Sequence, residues 1–108
     1  MTPEEIYIAE SYMARAEETL KEAKALFQHE MYLGTVNRAY YAMFYAAYSM
    51  LALKSLYPET HGGVHNLFYK HYIKVNLVPK EIGMFLRSIY EYRREGIMKL
   101  TLIFHVKK

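Results

Sequence analysis

The sequence contains no cysteine and no tryptophan, and only three prolines and five glycines among 108 residues. Without cysteine there is no disulfide framework, no thiolate nucleophile and no Cys-based zinc site. A chain of this kind suits a reducing cytoplasm. No glycine-rich phosphate loop is present, and Gly62-Gly63 reads as a turn. The longest mostly apolar run, Ala39 to Leu53, is too short and too tyrosine-rich to span a membrane. The opening Met1-Thr2-Pro3-Glu4-Glu5 is acidic and polar, unlike a signal peptide. Charge of one sign is also modest: the net charge is +3, which permits a polyanionic partner without requiring one.

What the chain has in surplus is apolar and aromatic surface. It is 53% hydrophobic, with twelve tyrosines and seven methionines. That composition excludes intrinsic disorder. Tyrosine joins a large ring to a polar tip and suits half-buried faces and interfaces, while methionine fills irregular gaps. The length is that of one domain.

The spacing predicts an all-α chain of four helices. Thr2 caps the first, Pro3 suits its first position and Glu5 completes a capping box. Apolar residues then fall at Ile6, Ala9, Met13, Ala16, Leu20, Ala23 and Phe27, alternating steps of three and four up to about His29. A second helix runs from about Leu33 to Ser55. Apolar residues nearly encircle it, so it is expected at the centre. Pro58 ends it. Residues Thr60 to Gly63 read as a turn, Val64 to Tyr72 as a third helix, and Pro79 to Glu95 as a fourth, closed by Gly96. Thr101 to Val106 has strand-like composition. The expected architecture is therefore an antiparallel up-down four-helix bundle with an irregular or strand-like C-terminal tail.

Asn37-Arg38-Ala39-Tyr40-Tyr41-Ala42-Met43-Phe44-Tyr45-Ala46-Ala47 resembles the tyrosine-rich signature of HEPN proteins of the UPF0332 type. Thr60-His61-Gly62-Gly63-Val64-His65 with Leu67-Phe68 is similar to a second family segment. Arg87, Tyr90, Arg93 and Arg94 are similar to a third. The likeness runs from the first helix to about Gly96, making residues 1–96 the HEPN-like unit and 97–108 an atypical tail. The resemblance implies a helical bundle that commonly forms a homodimer, often encoded beside a small nucleotidyltransferase, with some such pairs acting as toxin and antitoxin. Other HEPN branches are ribonucleases that carry an Arg, four to six residues, then a His. Here Arg15, Arg38, Arg87, Arg93 and Arg94 all lack a His at that distance. RNA cleavage by this chain alone is therefore not expected.

The resemblance also implies Asp-Tyr and a further helix where Gly96-Ile97-Met98-Lys99 stands. Ile-Met-Lys can be written ATT ATG AAA, and one added G in front reads GAT TAT GAA, which is Asp-Tyr-Glu. A single-base frameshift and a lineage-specific tail are both open as the origin of residues 97–108. Sequencing the source locus separates them: the frameshift fails if the neighbouring frame encodes no Asp-Tyr.

Arg38, Tyr41, Lys70, Arg93 and Arg94 are the candidate nucleotide- or anion-binding residues. Arg38 sits in an apolar helix and needs an acid, a phosphate or carbonyls. Arg93 and Arg94 lie near a helix end, where cations also offset the dipole. Tyr40, Phe44, Tyr45, Tyr48 and Tyr90 are the candidate dimer or partner interface. Base stacking is the alternative use of the tyrosines. His61 and His65 stand four residues apart, but with His61 in a turn they are expected to brace it rather than hold a metal. No cofactor and no catalytic residue are implied. Three functions stay open: a non-catalytic HEPN module paired with a nucleotidyltransferase and binding nucleotide, an RNA-binding or ribonuclease protein using a basic patch, and a truncated product without function.

Overall fold

The computed structural model describes the backbone of residues 1–106 and the side chains of residues 1–96. It is an all-α bundle of four helices: α1 Pro3–Gln28, α2 Tyr32–Ala52, α3 His61–Phe68 and α4 Lys80–Val106. No strand occurs among the described residues.

Helix α1 opens as its sequence dictates. The Thr2 hydroxyl accepts from the Glu5 amide at 3.2 Å, and Glu4 and Glu5 place negative charge on the first turn. The helix packs on α2 through small residues. Ala9, Ala16 and Ala23 are buried, as is Thr19. The close approach lets the Ser49 hydroxyl of α2 donate to the Ala9 carbonyl of α1 at 2.6 Å.

Helix α2 is the central element, packing against α1, α3 and α4, while α1 meets only α2 among the described residues. Tyr40, Ala47 and Leu51 join Val64 and Phe68 of α3 and Leu86 of α4 in one apolar core. The third helix starts earlier than its composition suggests. Thr60 caps it, accepting from the Gly63 amide at 2.9 Å, so His61 lies in the first turn of a helix instead of a loop.

After α3 the backbone widens over Tyr69–Ile73 into a π turn, with the Lys74 amide bonded five residues back to the Tyr69 carbonyl at 2.8 Å. The extra residue in the turn brings both Tyr72 and Ile73 into the core. The Tyr72 hydroxyl donates to the Met50 carbonyl and fastens the turn to α2. Asn76 then adopts φ 62°, a left-handed conformation that asparagine tolerates.

Two expectations are corrected at the C-terminus. Gly96 does not end α4, and residues 101–106 are helical, not strand-like. A glycine terminates a helix by taking positive φ, and no glycine in the described chain does so. A lone strand would also leave its backbone groups unpaired, whereas continuing the helix pairs them locally. Gly96 has a packing reason instead: a Cβ there would stand 2.7 Å from Leu33 Cδ1. Residues 107 and 108 of the expected tail lie outside the described residues.

Candidate functional site at the junction of α2, α3 and α4

The residues that carry the tyrosine-rich signature converge with the start of α3 and the middle of α4. Tyr40 is fully buried. Its hydroxyl lies 2.7 Å from His61 Nδ1 and 3.1 Å from His65 Nε2. A hydroxyl has one proton to give, so one imidazole nitrogen accepts it and the other donates its own N–H to the Tyr40 oxygen. The ring that accepts must be neutral, while the ring that donates can do so from either protonation state. Burial lowers the His61 pKa, with the nearby Arg93 charge as a second cause. Burial also lowers the His65 pKa, followed by His61 and Arg87. Burial raises the Tyr40 phenol well above its ordinary value.

Aromatic faces close the junction. The His61 ring lies parallel to Tyr40, with centroids 5.7 Å apart, and 4.6 Å from Phe44. Tyr90 of α4 packs 5.2 Å from Tyr40. Arg93 spans from α4 to α2: its Nε donates to Asn37 Oδ1 at 2.7 Å and its Nη2 to the Tyr41 hydroxyl at 3.2 Å. Its guanidinium also lies over the Tyr41 ring at 4.9 Å. Arg38 reaches back to Glu22 of α1 at 3.7 Å and over Tyr41 at 5.4 Å. Arg94 lies over Tyr90 at 5.8 Å.

Of the candidate anion-binding residues, Tyr41 and Arg93 are in direct contact, Arg38 shares the Tyr41 ring, and Arg94 flanks Tyr90. Lys70 is exposed on the π turn and makes no recorded contact with them. The guanidinium groups of Arg38 and Arg93 already have protein partners. Of the candidate interface residues, Tyr40 is wholly enclosed within its own chain, which leaves it no surface for a partner. Phe44 and Tyr90 are half-buried against it. Tyr45 and Tyr48 pack on Tyr12 of α1, with centroids 6.1 and 4.4 Å away.

The sequence reading missed the bond between Tyr40 and the two histidines. Their four-residue spacing places both on one face of a helix, but that requires the helix to start at His61, and the signal for that was Thr60 as its cap. Among the described residues no three His, Cys, Asp or Glu side chains gather to hold a metal ion. No buried side-chain polar atom there lacks a partner. The junction is thus a hydrogen-bonded network that ties three helices together.

The HEPN domain model matches residues 9–96, so this chain belongs to the HEPN family. Within it, the chain is similar to a UPF0332 protein of Thermotoga maritima, 38% identical over 82% of this chain and 67% of that protein. It is 34% identical to a Methanocaldococcus jannaschii protein named as a candidate toxin, over 86% of this chain and 63% of that one. A UPF0332 protein of Pyrococcus horikoshii is 30% identical over 92% of this chain and 68% of its own length. The chain thus spans about two thirds of the length of these relatives. No solved structure matches it. No described helix is long and apolar enough to cross a membrane.

Proposed function

We propose that this chain is the toxin-like HEPN member of a toxin–antitoxin pair: a cytoplasmic homodimer that binds a small nucleotidyltransferase and does not itself cleave RNA. The observation that carries this reading is the outer face of α1. Ile6, Met13, Leu20 and Phe27 recur every seven residues and are 41%, 36%, 44% and 62% exposed. A seven-residue apolar repeat is the seam by which helices associate, and a bare one calls for a partner. The candidate-toxin name of the Methanocaldococcus relative supports the biological setting. The absence of any Arg separated from a following His by four to six residues supports a non-catalytic role.

Sequencing the flanking genes, then co-expression with a small nucleotidyltransferase found there and size exclusion with light scattering, tests the proposal. The expected species contains two copies of this chain together with the nucleotidyltransferase. A monomer that leaves the partner behind, or a source genome with no such neighbour, overturns it. The RNA-binding alternative predicts salt-dependent RNA binding that is lost in Arg38→Ala. The Glu22 and Tyr41 contacts of Arg38 weigh against it.

A further inference from the structure

A groove of about 630 Å³ lies between α3, the π turn and the start of α4, with no α1 residue in its lining and with His65 as its border to the junction. Its volume is in the range that holds a small organic molecule. Phe68, Ile73 and Leu86 are buried and form an apolar floor. Gly83 keeps the two walls close, because a Cβ there would stand 3.3 Å from Ile73 Cδ1.

The rim is cationic. Lys74, Lys80 and Arg87 line the groove and all three are exposed, while no Asp or Glu is among its lining residues. The recorded partner of Arg87 is Glu91, at 3.4 Å on the open surface, a contact that a better anion would displace. Asn66 and Asn76 add side-chain amides. His65 reaches the groove from the junction. Its Nε2 is held by Tyr40, so Nδ1 is the nitrogen left to meet a ligand.

We propose that this groove binds a small organic phosphate with an aromatic body. The apolar floor takes the ring. Two lysines act as point charges and one arginine supplies a planar fork, a combination that suits a phosphate dianion. With three cations and no acid among its lining residues, and Glu91 beside Arg87 as the one ion pair described there, the groove's field favours anions more strongly than the net charge of +3 suggests. The groove uses none of the α1 seam residues, so this proposal stands or falls separately from the partner reading.

Calorimetric titration of the full chain with 1-naphthyl phosphate tests it, with 1-naphthol and inorganic phosphate titrated alongside. The phosphate ester is expected to bind at least about tenfold more tightly than either fragment, since both halves of the site contribute. Lys80→Glu and Arg87→Glu should each weaken it by about tenfold, while Lys21→Glu on α1 leaves it unchanged. These side chains are exposed, and circular dichroism verifies that each variant folds. Equal binding of 1-naphthol would mean an apolar surface only. Equal binding of inorganic phosphate would mean an adventitious ion only. An equal loss in Lys21→Glu would mean general attraction to a basic protein. Any of the three overturns the proposal.

Discussion

The junction of α2, α3 and α4 and the outer face of α1 are opposite in character. At the junction polar groups on three helices are bonded to one another: Tyr40 to two histidines, and Arg93 to Asn37 and Tyr41. On α1 four large apolar side chains, Ile6, Met13, Leu20 and Phe27, stay partly exposed, and Phe27 meets only the edge of Tyr32 among the aromatic rings described. The residues that give the family its signature are therefore used for cohesion. Surface left without a partner is where association should be sought.

The contrast can be broken first at Tyr40. Replacing it with Ala removes a fully buried ring and should cost about 3–5 kcal/mol. Total stability of a domain this size is about 5–15 kcal/mol, so urea denaturation should show a variant at the edge of folding. A cost near that of a surface substitution would mean that the junction is not what holds the helices together. Tyr40→Phe is the finer probe. It keeps the ring and leaves two imidazoles without their shared hydroxyl, for an expected loss of about 1–3 kcal/mol.

The same network predicts a pH dependence. Both histidines have pKa values lowered in the folded state, by burial first. The unfolded chain therefore binds more protons than the folded one below the ordinary histidine value of about 6.5. The stability they contribute is present above that pH and is lost as pH falls through the lowered folded values. Melting temperature should drop between pH 7.5 and pH 5, and the slope should flatten in a His61→Gln, His65→Gln double variant. An unchanged slope in that variant would assign the pH effect elsewhere. A smaller effect is expected at the seam between α1 and α2. Ser49→Ala deletes the bond to the Ala9 carbonyl and should cost about 1 kcal/mol by denaturant midpoint.

The local part of this structure was legible in the sequence, and the non-local part was not. Periodicity placed α1 and α2 to within a few residues and made α2 the centre, because 3.6-residue spacing is a local property. It could not say who covers the α1 stripe: Ala9, Ala16 and Ala23 are buried by α2, whereas Ile6, Met13, Leu20 and Phe27 are not. The spacing is the same for both sets. The end of α4 was misread because Gly96 looks like a stop signal unless its φ is known. The Tyr40–His61–His65 contact joins residues 21 and 25 positions apart, which no spacing rule connects. The cationic groove gathers Lys74, Lys80 and Arg87 around a π turn, and a single inserted residue in a helix leaves no composition signal.

The smallest effect on stability should come from the region expected to matter most for association. Met13→Lys with Leu20→Lys changes two exposed positions on α1, and surface substitutions of this kind move stability by about 0.5 kcal/mol or less each. Lysine is a good helix former, so α1 itself is preserved. Yet two charges would sit in the middle of the seven-residue seam, where burying them against a second helix is costly. Light scattering should therefore report a monomer whose melting temperature, measured at the same low concentration as the parent, is almost unchanged. Retained association would remove the distinction between the two regions, because the bare stripe would then be ordinary exposed surface and the interface would have to lie on half-buried residues such as Phe44 or Tyr90.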